Sequence, residues 1–278
     1  MIVVSGTKRS GTSMWMQVLR AAGFQPLGRA FPGDWGQTIA DANPDGFYES
    51  RFRSGIFHAT NPLPETGAYI HPDASRNAVV KIFPFGVRKT HRAFLDRLVL
   101  TMRPCAAYIR SRSRLYSMEH ESRPEAVRER VEPIAYMPAY LEWFFENITL
   151  LGDVRLRKLE HRIVTYDRAL REPQAVGEIV RWLGGDSDAA IAEIRGERQT
   201  QVGEWGELSD VPPPAMRNIF DALYQAFDDG GSPDAALLRA IRRVHAELLP
   251  RFQNAARAQT DDQRRWRQEI LQLSRALP

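Results

Sequence analysis

Residues 2–19, IVVSGTKRSGTSMWMQVL, are the most informative part of this chain for its fold. An apolar run leads into a glycine-bounded loop, and apolar positions with helical spacing follow the loop. A strand, a loop and a helix start in this order form a phosphate cradle, because backbone N–H groups and the positive end of the helix dipole point at the anion. The spacing of Gly6 and Gly11 matches the nucleotide P-loop pattern, but Thr12 stands where that pattern has Lys. We therefore expect a P-loop-like phosphate site that is not built for ATP or GTP.

The first half of the chain alternates short apolar runs with helical patterns, which is typical of a parallel α/β sheet flanked by helices. The predicted strands are Ile2–Ser5, Gly46–Tyr48, Ala78–Ile82, Leu98–Met102 and Ile163–Tyr166, and the predicted helices between them are Thr12–Ala22, Arg88–Leu95, Ala106–Glu119 and Met137–Leu151. Later segments have helical periodicity alone: Gln174–Leu183, Pro214–Phe227, Asp234–Leu248 and Thr260–Leu277. The sequence thus predicts a single domain over residues 1–278, with an α/β cofactor-binding core (1–205) and a helical C-terminal extension (206–278).

Composition narrows the class of protein. Hydrophobic residues make up 43% of the chain and charged residues 26%, as in globular proteins. The net charge of +4 fits an anionic ligand, although scattered arginines such as Arg110, Arg112 and Arg114 are expected on a solvated helix face. One Cys excludes an internal disulfide framework and indicates a reducing compartment. No apolar stretch approaches transmembrane length, so we expect no transmembrane segment and, with the single Cys, a cytoplasmic protein. We also expect no nucleic-acid partner.

A second informative stretch is RLVLTMRPCAAYIRS, residues 97–111. Its apolar strand ends near Arg103, Pro104 opens the next helix, and Ser111 lies about two turns into that helix. An Arg at the carboxyl end of a strand points into the crevice where ligands of α/β sheets bind, and its planar fork suits a phosphate. Taken alone, this pattern indicates only a surface Arg and a helix Ser, so Arg103 and Ser111 gain significance only together with the first loop.

Together the two stretches resemble the cofactor sites of sulfotransferases that use 3′-phosphoadenosine-5′-phosphosulfate (PAPS). In that family a Lys/Arg-Ser-Gly-Thr-Thr/Ser loop binds the 5′-phosphosulfate, and an Arg followed eight residues later by a Ser binds the 3′-phosphate. The usual Asp between that Arg and the following Pro is absent here. The cofactor-binding residues that the resemblance implies are Lys8, Arg9, Ser10, Gly11, Thr12 and Ser13 in the loop, with Arg103 and Ser111 for the 3′-phosphate.

Three further matches extend the resemblance over about the first 205 residues. Lys81 looks like the family's strand-end lysine, which assists departure of the 5′-phosphate, and it joins Arg9 as an expected catalytic residue. Tyr166 lies in a segment similar to the family's Tyr-Glu-Asp-Leu region, where the Tyr can contact adenine. Arg198 and Gly203 have the spacing of the family's late loop for the 3′-phosphate.

The general base is the point at which this chain departs from the cytosolic animal sulfotransferases. Those enzymes carry Lys-Thr-His at the strand end, whereas Phe83 stands here at the position of the His. Many bacterial relatives instead use a Glu that follows the second strand, and Glu49 fits that description, so it is the expected catalytic base. A salt bridge from Glu49 to Arg51 or Arg53 is the structural alternative, and His58 is the rival base.

The resemblance implies sulfuryl transfer from PAPS to an acceptor hydroxyl, or less readily an amine, with release of 3′-phosphoadenosine-5′-phosphate (PAP) and no metal. The acceptor stays open among small molecules, lipids and glycans. The alternatives are a P-loop small-molecule kinase with a degenerate Walker loop and a catalytically inactive nucleotide-binding protein. Among the loop tryptophans, Trp35 and Trp205 are candidates for stacking on a ligand. Residues Thr260–Leu277 form an amphipathic pattern, which suggests a docked terminal helix, a homodimer surface or a cover over the acceptor crevice.

Overall fold

Five parallel strands form the central sheet of the computed structural model, which describes residues 1–63, 66–196, 205–206, 208 and 211–276. The strands within these ranges are β1 Ile2–Ser5, β2 Gln25–Pro26, β3 Ala78–Lys81, β4 Arg97–Leu100 and β5 Glu160–Ile163, and their order across the sheet is β2-β3-β1-β4-β5. β1 pairs with β3 on one side and with β4 on the other. The strand order therefore reverses around β1, and such a switch point opens the crevice in which α/β sheets bind ligands.

The helices are α1 Thr12–Ala21, α2 Trp35–Thr38, α3 Pro84–Lys89, α4 Cys105–Glu121, α5 Glu125–Arg130, α6 Ala139–Leu156, α7 Tyr166–Arg171, α8 Pro173–Leu183, α9 Ser187–Ala192, α10 Pro214–Asp228 and α11 Ala235–Ala276. The α/β class with a helical C-terminal region is thus confirmed. No helix in the described residues is both long and apolar enough to cross a membrane.

Two predicted strands are wrong, and the backbone gives the reason in each case. Gly46–Tyr48 is not a strand, because Gly46 and Tyr48 have φ values of 94° and 51°, which no extended strand accommodates. The second strand is Gln25–Pro26 instead. The last strand ends at Ile163, because the Thr165 side chain accepts from the backbone N–H of Arg168 and so caps α7.

The helix boundaries also differ from the predictions in two places. The predicted helix Arg88–Leu95 is replaced by α3, which starts at Pro84, and by a separate 3-10 turn at Arg92–Phe94. The two predicted C-terminal helices are one helix, α11, with Pro250 in its interior. A proline there costs a backbone hydrogen bond. The buried side chains of Ile241, Val244 and Leu248 pack with those of α6 and α10 and hold the helix in place despite that cost.

Hydrophobic cores cover both faces of the sheet. Ile2 and Val4 of β1 belong to a core with buried side chains of α1 and α8, whereas Val3 belongs to a core with α3 and α6. This alternation follows from the period of two along a strand. A third core joins α4 and α6 to α10 and α11. Both faces of the sheet are therefore packed, and its carboxyl edge carries the candidate site.

Candidate active site

The loop between β1 and α1 is held tightly against the sheet. A side chain at Gly6 would collide with the carbonyl oxygen of Thr101, so only glycine fits there. The Thr101 hydroxyl donates to the carbonyl oxygen of Ser10 at 2.9 Å, and the Ser10 hydroxyl donates to that of Thr7 at 2.6 Å. Arg9 and Gly11 have φ values of 63° and 97°, both in the left-handed region. These contacts fix the path of the chain as it enters α1.

The N-terminus of α1 is open to an anion. Gly11 is its N-cap and supplies no side-chain cap, so no side chain of the N-cap residue satisfies the N–H groups of the first turn. Gly11 is also required by its neighbour, since a Cβ there would lie 2.7 Å from Cδ2 of the Tyr166 ring. The first turn of α1 therefore combines a helix dipole, available N–H groups and an aromatic wall, which together suit a phosphate ester of a nucleotide.

Residues far apart in the sequence meet beside this turn. The Arg9 Nε donates to the Ser111 hydroxyl at 3.1 Å, and the Arg103 guanidinium donates to the Arg9 carbonyl oxygen at 3.3 Å. The Arg103 guanidinium carbon lies 4.7 Å from the centre of the Tyr166 ring. Arg103 follows β4 and precedes α4, whose second turn carries Ser111. The structure thus brings together four of the residues that sequence spacing indicated.

The positive charge of this cluster is concentrated. Burial and, to a smaller extent, the charges of Arg103 and Arg114 together lower the pKa of Arg9 to about 10. Burial likewise lowers the pKa of Arg103. Like charges held close together in a partly buried place destabilise each other, and an anion bound between them would relieve that repulsion. The electrostatics therefore favour an anionic ligand.

Lys81 supplies a further cation at the end of β3. Its side chain is 1% exposed, and its ammonium group donates to the Ser13 hydroxyl at 2.9 Å and to the Phe47 carbonyl oxygen. Burial lowers the pKa of Lys81 to about 8, with Glu49 opposing and Arg9 assisting that shift. A buried amine beside the first turn of α1 is well placed to act on a phosphate oxygen bound there.

Glu49 lies on the other side of Lys81. One carboxylate oxygen is 3.6 Å from the Lys81 ammonium, and the other accepts from the Arg53 guanidinium at 2.9 Å. The segment before Glu49 is anchored to α1, because Gln17 donates to the Gly46 carbonyl oxygen at 3.2 Å. Glu49 therefore both forms the ion pair with Arg53 and lines the cavity, so the two interpretations of this residue do not exclude each other. His58 is exposed, packs edge-on against Phe57 and is not among the residues that line the cavity.

The Lys8 side chain turns toward a buried charge network. Its ammonium group lies 3.5 Å from a carboxylate oxygen of Glu142, which also pairs with Arg112 at 2.6 Å and accepts from the Tyr108 hydroxyl at 2.7 Å. The expectation that Arg112 lies on a solvated face is wrong, because it must neutralise Glu142 inside the protein. Burial raises the pKa of Glu146, one helical turn further, to about 8, and the charge of Glu142 adds to that shift.

A cavity of about 790 Å³ joins these groups to a set of aromatic side chains. Its volume is within the range of small-molecule sites. The predicted site residues that line it are Lys8, Arg9, Gly11, Thr12, Ser13, Glu49, Lys81, Arg103, Ser111 and Tyr166, and the aromatic walls are Trp35, Phe47, Phe83, Tyr116 and Tyr136. Ser10 is buried below the loop and does not line the cavity. One cavity therefore holds both a polar cradle and apolar walls.

The long helix α11 contributes to the same cavity. Its Gln263 lines the cavity, and its neighbours Gln259 and Asp262 accept from the backbone N–H groups of Met137 and Ala135 at 2.8 and 3.0 Å. The second half of α11 is thereby tied to the segment that precedes α6. The second half of α11 is therefore in contact with the cavity and with the segment before α6.

Some candidate residues lie elsewhere. Arg198 and Gly203 lie outside the described residues. The indole N–H of Trp205 donates to Asp221 of α10 at 2.8 Å, so Trp205 packs away from the cavity, whereas Trp35 lines it.

Glu119 and Leu115 line the cavity without having been expected there. They follow Ser111 by eight and four residues, so helical spacing from Ser111 was the signal for both.

Comparison with protein-family models finds no match for this chain, and comparison with curated proteins finds none either.

Proposed function

We propose that this chain transfers the sulfuryl group of PAPS to the hydroxyl of an acceptor and releases PAP. One observation carries the proposal: Arg9, Arg103 and Ser111 converge beside the uncapped first turn of α1, with Lys81 and Glu49 lining the same cavity. The acceptor would be a small molecule, lipid or glycan, with an amine acceptor as the less favoured case. The resemblance of the two motifs to PAPS sulfotransferases supplies the identity of the donor.

Two phosphate subsites fit the donor. Arg103 and Ser111 would hold the 3′-phosphate, and Arg9, whose Nε donates to the Ser111 hydroxyl at 3.1 Å, would contact the phosphosulfate together with the loop amides. The N–H groups at the start of α1 and the hydroxyls of Thr12 and Ser13 would hold the 5′-phosphate. The Tyr166 ring, already stacked by Arg103, would form an edge of the adenine pocket.

The remaining residues have roles in the transfer itself. PAPS, when bound, would supply the sulfuryl group, and the 5′-phosphate oxygen of PAP would be the leaving group. Lys81, protonated and 2.9 Å from Ser13, would stabilise the negative charge that develops on the leaving oxygen. Glu49 would take the proton of the acceptor hydroxyl, and its ion pair with Arg53 holds the carboxylate in a defined position. Catalysis would come mainly from placement and charge stabilisation.

Calorimetry with PAP, ADP and ATP tests the donor assignment. We expect tight binding of PAP and weak binding of ATP with or without Mg²⁺, because Thr12 replaces the P-loop Lys and the buried Arg103 is assigned to the 3′-phosphate, which ATP lacks. ADP lacks the 3′-phosphate and serves as the matched control. Equal affinity for PAP and ATP, or a requirement for Mg²⁺, would overturn the sulfotransferase proposal. PAP binding without sulfated product over a broad acceptor panel would favour the inactive nucleotide-binding protein.

A further inference from the structure

Glu119 is a cavity residue whose charge is left unmatched. It lies on α4 two turns after Ser111, and its half-buried side chain lines the cavity. In the described part of the chain its carboxylate has no ion-pair partner within 4.0 Å and no side-chain hydrogen bond. Burial raises the pKa of Glu119, and the charge of Glu49 adds to that shift, while Lys8, Arg123 and Arg53 oppose it.

The cations near Glu119 are engaged with other groups. Lys8 pairs with Glu142 at 3.5 Å, and Arg53 pairs with Glu49 at 2.9 Å. The Arg123 guanidinium lies over the ring of Trp266, 4.7 Å from its centre. Because these cations contact other groups, a ligand that brings a positive charge into the cavity would stabilise the half-buried Glu119 carboxylate.

The walls beside Glu119 suit an aromatic body that carries such a charge. Tyr116 and Tyr136 stack with their ring centres 3.9 Å apart, and Trp35 packs edge-on against Phe47 with centres 5.1 Å apart. Aromatic faces attract ammonium groups as well as apolar rings. The cavity therefore joins the Glu119 carboxylate to a set of aromatic surfaces.

We propose that Glu119 selects an acceptor that carries a positively charged amine on an aromatic body. This inference rests on the proposed function: the acceptor hydroxyl faces Glu49, its body lies along the aromatic walls, and its ammonium group pairs with Glu119. Glu119 is then a specificity-determining residue and takes no part in the proton transfer.

Three phenols that differ in the charge of one substituent test this assignment. They are tyramine (cationic), 4-ethylphenol (neutral) and 3-(4-hydroxyphenyl)propionate (anionic), and their binding to the full chain is measured by calorimetry with and without PAP. We expect tyramine to bind about tenfold more tightly than 4-ethylphenol, and the anion to bind most weakly, as one added ion pair would produce. Glu119→Gln should abolish the tyramine preference and leave 4-ethylphenol binding unchanged.

Glu121→Gln is the matched control, because Glu121 is exposed on the same helix and does not line the cavity. It should keep the tyramine preference. A second measurement uses the unchanged protein: the preference should fade as the pH falls and Glu119 becomes neutral, while the tyramine amine stays charged. A preference for the neutral or anionic phenol, or a tyramine preference that survives Glu119→Gln, would overturn the inference. Failure of PAP to bind would instead count against the proposed function, since the phenols are also measured without nucleotide.

Discussion

Arg103→Ala is the substitution that tests the proposed nucleotide site most directly. Arg103 is buried, donates to the Arg9 carbonyl oxygen at 3.3 Å and stacks on Tyr166 at 4.7 Å. Its loss should remove a charge-assisted contact with the 3′-phosphate, costing about 2–4 kcal/mol in PAP affinity. At 1.4 kcal/mol for each factor of ten, this loss corresponds to a dissociation constant raised about 30- to 700-fold.

The same substitution should have a small effect on the unliganded protein. The stacking contact with Tyr166 is lost, but the repulsion by which Arg103 lowers the pKa of Arg9 is lost as well. The two effects have opposite signs, so we expect a modest change in melting temperature without nucleotide. The change that distinguishes the variant should appear only when PAP is present.

Thermal unfolding with and without PAP measures this difference. At a PAP concentration of about 100 times the dissociation constant, the ligand stabilises the native state by about 2.7 kcal/mol. For a chain of this size, that energy corresponds to a rise of roughly 5 °C in melting temperature. After a 100-fold loss of affinity at the same concentration, only about 0.4 kcal/mol remains. Arg88→Ala, an exposed arginine on α3, is the control and should keep the full rise.

Binding of adenosine-5′-phosphosulfate, which lacks the 3′-phosphate, tests whether Arg103 contacts that phosphate. Its binding should be nearly the same for the unchanged protein and for Arg103→Ala, because the removed side chain has no phosphate to contact in that ligand. If PAP and adenosine-5′-phosphosulfate lose affinity by the same factor, Arg103 acts on the structure of the site and the assignment to the 3′-phosphate is refuted.

Three further predictions concern the transfer step and the long helix. Glu49→Gln should lower turnover by about two to four orders of magnitude with little change in PAP affinity, whereas His58→Ala should be mild; the reverse order in steady-state assays would reject Glu49 as the base. Burial lowers the pKa of Lys81 to about 8 in the unliganded protein, so its positive charge is lost as the pH rises through about 8. The affinity for PAP should decline over the same pH range. Lys81→Met should flatten that decline, and calorimetry over a pH series would show an unchanged slope if another group were responsible. Truncation after Gln259 should leave PAP binding intact and change acceptor use, since Gln263 lines the cavity; unchanged turnover and oligomeric state would reduce the segment to packing.

Sequence spacing was most informative where a motif lies on one continuous element. Ser111 could be placed from Arg103, because a strand end followed by a helix fixes both directions within a few residues. Glu119 follows on the same face of α4 and was within reach of the same reasoning. By contrast, the pattern around Gly46 and Tyr48 reads as a strand, and only their left-handed backbone excludes it.

The strand–loop–helix unit at residues 2–19 and the parallel α/β class could be predicted from the residues alone, because these depend on local spacing and on the period of apolar residues. The ion pair between the neighbouring residues Glu49 and Arg53 was within the same reach, whereas ion pairs between distant segments depend on the tertiary fold. Lys8 and Glu142 are 134 residues apart, and no local pattern indicates that the ammonium group turns to that carboxylate. The same holds for α11, where packing on α6 and α10 outweighs the cost of Pro250 and carries Gln263 to the cavity. Contacts between distant segments follow from the fold as a whole, and a reading of neighbouring residues does not contain them.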